Sequence, residues 1–203
     1  MSSTIYKLNR FTTLPVLLDL LLRQKLVLLD PHTWDDRNDT EVILAYKRKK
    51  AINNLFALCF THDSETIHHW KTYADGSSGC CIEFNAKALF EIFDATPGLR
   101  HGKVSYKTIL EAERTRIPLL EMPFTKRRPY SCEQEYRAIW EGDSIKNCLE
   151  LEVPLSAINK VTISQQMPEQ VYDTIKQLLK TKSSNRVSRS TLYENKRWIN
   201  SFG

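Results

Sequence analysis

Glu133, Glu135 and Arg137 are the residues of this sequence whose types and spacing are best suited to chemistry. They lie in Tyr130–Trp140, an aromatic-rich stretch between Pro129 and Gly142-Asp143 that reads as a β-strand. Alternate side chains on a strand project to opposite faces. Glu133, Glu135, Arg137 and Ile139 therefore share one face, and Gln134, Tyr136, Ala138 and Trp140 share the other. Residues two apart on a face are about 6–7 Å apart at Cα. At that distance two carboxylates raise each other's pKa and a guanidinium lowers it. The face is either a solvated strand surface with an ion pair or the wall of an active site.

The elements that must position this face can be read along the chain. Ile5–Leu8 alternates as a first strand. Thr12 or Thr13 caps a helix to about Gln24, with Pro15 in its first turn. Lys25–Leu29 is an apolar strand expected to be buried on both faces. Asp30–Asp39 is a polar loop around Trp34, whose carboxylates suit turns and helix capping. A helix is expected over Thr40–Leu55 and a strand over Leu55–Phe60. A second helix opens at Ser64 and Glu65, with Ile67, Trp70 and Tyr73 on one side. Asp75–Gly79 is a turn before strand Cys80–Phe84, and Asn85 caps a further helix. Val104–Tyr106 reads as a strand. Ile117–Pro129, with three prolines, reads as a long loop, and such loops are often functional. Strands at Cys148–Val153, Lys160–Ile163 and Arg186–Tyr193 and a helix at Glu169–Lys180 complete the pattern. Helices and strands mix without a regular βα period, so the expected fold is α+β, with a mixed, mostly antiparallel split sheet and flanking helices.

The 203 residues suit a single domain over 1–203 with a basic C-terminal segment at 176–203. Hydrophobic content of 41% and charged content of 26% are ordinary for a globular chain. A net charge of +5 does not by itself imply nucleic acid. Five irregularly spaced cysteines argue against a disulfide framework and for a reducing compartment. Charges interrupt the most apolar stretch, Leu14–Leu29, so no membrane span or secretory segment is expected, and the expected location is the cytoplasm.

No metal site is expected. His62, His68 and His69 do not combine with Cys80 and Cys81 in a metal-ligand spacing. Gly76 and Gly79 lie between a helix and a strand, the wrong order for a common phosphate loop. The C-terminal segment carries Lys176, Lys180, Lys182, Arg186, Arg189, Lys196 and Arg197, with Tyr193 and Trp198 interleaved. Basic residues among aromatics suit a non-catalytic module that binds single-stranded nucleic acid by phosphate contact and stacking.

Several short blocks resemble a widespread, mostly bacterial family known only as a domain of unknown function, number twenty-nine seventy-one. They are Tyr6-Lys7 with Arg10, Trp34-Asp35-Asp36, Leu58–Thr61, Trp70 with Tyr73-Ala74, Gly79 and Phe84, Val104–Tyr106, and Glu133 with Glu135–Arg137. The order of elements is also similar to the ADP-ribosyltransferase fold. There a first strand carries NAD-contacting residues, a middle strand ends in Ser or Thr, and a late strand bears the catalytic Glu. That resemblance implies an NAD-dependent transferase, in a bacterial toxin or phage-defence setting. It assigns Glu135 to stabilising the oxocarbenium-like ribose and Glu133 to the acceptor. Lys7 or Arg10 would pair with the pyrophosphate, and Tyr6, Trp70 or Tyr73 would stack on nicotinamide, with Thr61 and Arg137 completing the NAD site. The implied partners are NAD, as substrate, and a protein or nucleic acid acceptor.

Overall fold

Apolar side chains at strand and helix spacing divide the chain into eleven strands and seven α-helices among the described residues. The computed structural model describes residues 5–74, 76–143, 147–183 and 185–202. In chain order the elements are β1 (Lys7–Thr13), α1 (Leu14–Arg23), β2 (Lys25–Leu29), α2 (Arg37–Lys50), β3 (Asn54–Thr61), α3 (Ile67–Tyr73), β4 (Gly79–Asn85), α4 (Ala86–Asp94) and β5 (Leu99–Lys103). They continue with β6 (Ser105–Lys107), α5 (Ile109–Arg114), β7 (Thr125–Arg127), β8 (Glu135–Gly142), β9 (Cys148–Glu152), β10 (Ile158–Ile163), α6 (Glu169–Lys182), β11 (Arg186–Arg189) and α7 (Lys196–Ile199). The fold is α+β and its strands pair largely antiparallel.

Two compact units emerge, one of residues 1–25, 63–88 and 153–203, the other of residues 26–62 and 89–152. In the first unit the strands run in the order β11-β10-β4-β1. All pairs are antiparallel except β10 with β11. Phe11 of β1 packs edge-on against Trp70 of α3, with Ala74, Cys81 and Leu192 around them. Trp70 Nε1 and Ser190 Oγ both donate to Glu65. The ring that was offered as a ligand stacker is thus enclosed in a core.

In the second unit the order is β5-β8-β3-β2-β9, and β6 and β7 form a separate parallel pair. β8 pairs with β3 over its whole length, from Thr61 opposite Glu135 to Asn54 opposite Gly142. Its two faces are covered differently. Ile139 joins Ile43 and Tyr46 of α2, with Met122 and Phe124 beside them. Tyr136 on the other face stacks on Phe90 of α4, next to His101 of β5.

The differences from the sequence reading have physical causes. Tyr130–Trp140 is not one strand: Arg128–Glu133 is a 3-10 turn, and the strand begins at Glu135. The first strand runs to Thr13 because it pairs with all of β4. β2 is not buried on both faces, since Leu26 and Leu28 are buried while Leu29 is exposed. Asp36, which accepts from the backbone N–H of Asn38 and Asp39, starts α2 three residues before Thr40. Thr66, not Ser64, caps α3, and Ile67 faces outward. The loop after Ile117 contains a helical turn and β7. The last strand stops at Arg189. β5, with its polar Leu99-Arg100-His101-Gly102 sequence, carries no strong strand signal and is formed by pairing with β8.

Gly79 tests the packing of the first unit. A Cβ there would lie 1.5 Å from the Ala74 carbonyl oxygen, whereas one at Gly76 would have room but sits at φ +53°. Gly79→Ala is expected to cost more than about 3 kcal/mol, beyond ordinary overpacking. Gly76→Ala should cost about 1–2 kcal/mol, the penalty of a left-handed backbone. Urea unfolding midpoints of the two variants check the order.

Candidate active site

The candidate site is a buried set of charges in the second unit. Arg137 has 0% exposure, and Glu133 and Glu135 have 4% each, so the solvated-surface alternative is overturned. Arg137 Nε and Nη2 donate to the two oxygens of Glu135 at 2.6 and 2.9 Å. Nη1 and Nη2 donate to Asp39 at 3.0 and 2.6 Å, and Nη1 also donates to the Pro123 carbonyl at 2.8 Å. The Trp34 ring lies over the guanidinium, 4.9 Å from its carbon. Trp34 and Asp36 thus serve the site through Arg137 and Lys126, while Asp35 is exposed.

Glu133 reaches the same place by a different route. The chain turns at Gln134, whose φ of 43° and ψ of 50° are left-handed. Such a conformation costs a non-glycine residue about 1–2 kcal/mol. It is held by bonds on both sides. Gln134 Nε2 donates to the Ser131 carbonyl at 2.7 Å. The Gln134 carbonyl accepts from the Thr61 hydroxyl at 3.2 Å and from the His62 N–H at 3.1 Å. Thr61, expected at the NAD site, therefore secures the turn that separates the two glutamates. Beyond the turn, Glu133 accepts from Lys126 Nζ at 2.7 Å, and Glu135 lies 3.6 Å from the same nitrogen.

Burial pushes the Glu135 carboxyl up, but the Arg137 charge, its hydrogen bonds and the Lys126 charge outweigh burial, so its pKa falls below 4.5. For Asp39 burial prevails over Arg137, Glu135 adds repulsion, and the pKa rises above 3.8. Burial pushes the thiol of Cys59, a neighbour of Glu135 on β3, well up, with the Glu135 charge adding to the effect. Glu135 is thus an ionised carboxylate at neutral pH, fixed in direction by its guanidinium.

The remaining expected ligand contacts lie in the first unit. Tyr6 is exposed and precedes β1. Lys7 and Arg10 are both in β1, three residues apart, so they project to opposite faces. Lys7 pairs with Glu83 at 3.3 Å. Tyr73 is partly exposed near His68 and His69. Asp39 and Lys126 were not named as site residues from the sequence, and Tyr106, named there only as part of a strand block, accepts the Glu135 N–H at its hydroxyl. A lysine between Thr125 and Arg127 carries no signal of burial until its strand neighbour is known. Among the described residues no group of three His, Cys, Asp or Glu could hold a metal, and no helix is long and apolar enough to cross a membrane.

No protein-family model matches the chain, and no curated protein matches it. Among solved structures it is similar to DarT of Thermus sp. 2.9. For the complex with NAD+ the TM-score is 0.47 at 11% identity, and for that with ADP-ribosylated ssDNA 0.46 at 12% identity. Each alignment covers 94% of this chain and 98% of that one. The complex with carba-NAD+ gives 0.42 at 10% identity.

The ion cluster fixes an acid-side stability profile. Because the folded pKa of Glu135 is depressed, its contribution is complete above its unfolded pKa of about 4.5. It is lost as pH falls through the lower folded value. Asp39, with a raised folded pKa, acts in the opposite sense, and its ionisation costs stability as pH rises above 3.8. Glu135→Gln should therefore flatten the fall of unfolding free energy below pH 4.5. Arg137→Met, which leaves two carboxylates without their guanidinium, should cost about 3–5 kcal/mol at pH 7. Urea titrations from pH 3 to 8 check both, and a steeper acid limb in Glu135→Gln would contradict the assignment.

Proposed function

We propose that the chain is an ADP-ribosyltransferase-like enzyme that uses NAD as substrate and passes ADP-ribose to a protein or nucleic acid acceptor. The observation that supports this is Glu135: ionised, buried, and locked in direction by Arg137. Breaking the bond between C1′ of ribose and nicotinamide sends the bonding pair to the leaving ring and leaves positive charge on the ribose. A preorganised carboxylate stabilises that charge, and it needs no reorganisation at the moment of reaction. The acceptor then bonds to C1′ and gives its proton to Glu133, two residues away across the Gln134 turn. Trp70, whose ring packs in the first unit's core, is given no role in this reading.

Glu135→Gln keeps the shape but removes the charge, and turnover should fall by on the order of a hundredfold or more. Glu133→Gln should depress transfer to an acceptor more than release of free nicotinamide. Nicotinamide release and label transfer from NAD are measured beside unfolding midpoints, since both glutamates also belong to the ion cluster. A wild type that neither binds nor cleaves NAD would falsify the proposal. Loss of turnover only in step with loss of fold would leave the glutamates a structural role.

The C-terminal face favours a second reading, single-strand binding. Trp198 is 67% exposed, Phe202 and Tyr193 are also exposed, and Lys196 and Arg197 directly precede Trp198 on α7. This patch is narrower than the basic segment suggested. Arg189 turns inward, donating to the Gln165 and Met167 carbonyls against the Tyr172 ring. Binding of a single-stranded oligonucleotide should weaken steeply with salt. Trp198→Ala should lose more affinity than Trp198→Phe. Fluorescence titration at two salt concentrations decides, and no binding at low salt would remove this reading.

A further inference from the structure

Lys126 is a buried amine that the proposed chemistry does not use. It is the middle residue of β7, where Thr125 is half-buried, Lys126 buried and Arg127 exposed. Its register partner on β6 is Tyr106, whose hydroxyl holds the Glu135 N–H. The Lys126 stem thus enters the unit beside the first residue of β8. Its ammonium donates to Glu133 at 2.7 Å and lies 3.6 Å from Glu135, 3.7 Å from Asp39 and 3.8 Å from Asp36. The Tyr130 ring covers it at 4.6 Å.

Arg137 and Lys126 divide the work. Arg137 grips Glu135 and Asp39. Lys126 lies within reach of both glutamates, which stand on opposite sides of the left-handed residue Gln134. We infer that Lys126 is a positioning residue of the site: its ammonium holds Glu133 beside Glu135, whose direction Arg137 fixes, and so sets the spacing of the two carboxylates. The inference rests on the transferase reading for its consequence in turnover, and on geometry alone for the link itself.

The amine is suited to this and not to nucleophilic or base chemistry. Burial alone would lower its pKa, but the charges of Glu135, Glu133 and Asp39 and the Glu133 hydrogen bond raise it instead. It stays protonated and offers three donors and no lone pair. The charged groups that face it are Asp36, Asp39, Glu133 and Glu135.

The test compares wild type with Lys126→Gln, Lys126→Met and Lys126→Arg, all in sucrose, which favours the compact state. Two readouts are taken. In protein carrying carbon-13 at the glutamate side chains, the Glu135 titration should move up by about one unit or more in the uncharged variants and stay in place in Lys126→Arg. In NAD turnover, the uncharged variants should lose about tenfold to a hundredfold in kcat with little change in KM, and Lys126→Arg should recover part of it. Folded uncharged variants with wild-type titration and wild-type kcat would overturn the inference. So would two uncharged variants that do not fold beside a Lys126→Arg indistinguishable from wild type, which would make the role structural only. A wild type without turnover sinks the transferase reading, while the titration still decides the link.

Discussion

A guanidinium sealed from water must have all five of its N–H donors satisfied inside the protein, and the second unit is built to that requirement. Arg137 makes five hydrogen bonds: two to Glu135, two to Asp39 and one to the Pro123 carbonyl. Each acceptor belongs to a different part of the chain, the neighbouring strand position, the first turn of α2, and the helical turn before β7. Taking such a charge out of water costs several kcal/mol, recovered only with good geometry throughout. The cluster therefore specifies one arrangement more than it adds stability.

The far end of the same strand repeats the arrangement with different groups. Glu141 accepts from Tyr46 and Lys50 of α2 and from Arg100 of β5. Asp39 and Lys50 are eleven residues apart, roughly 16 Å along a helix. Arg137 and Glu141 are four apart, roughly 14 Å along a strand. The two lengths match, so α2 is tied to β8 near both ends and Ile43 and Tyr46 are pressed onto Ile139 between them. A carboxylate aimed to a few tenths of an ångström requires this kind of support, which a loop does not give.

The sequence carried the local elements well and the long-range ones poorly. The α+β class, the cap at Asn85 and the helix from Leu14 were legible, because periodicity and capping act within a few residues. That Glu133, Glu135 and Arg137 fall in one charged neighbourhood was legible from their spacing, yet what surrounds them was not. The charged face was left open between a solvated surface and a site wall because charges recur at every second residue along it. Both faces are in fact covered, one by α2 and one by α4, and sequence spacing does not reveal what lies opposite a strand. Lys126 and Asp39 are 87 residues apart in number but 3.7 Å apart in space. Lys7 and Trp70 were grouped with the glutamates by resemblance, while their own contacts are to Glu83 and Glu65.

The eight-residue register of β8 on β3 makes the strand a matter of parity. Displacing it by one residue would carry Arg137 into the aromatic layer of Phe90 and His101, and would bring Tyr136 among the carboxylates. Displacing it by two would return charge to the charged side but pair Arg137 with the wrong neighbours. No intermediate alignment satisfies the guanidinium, so errors of pairing during folding are rejected by electrostatics as well as by apolar fit. Between Glu135 and Gly142 an exchanged residue keeps the parity of the strand, whereas an inserted or deleted one turns every later side chain to the opposite face.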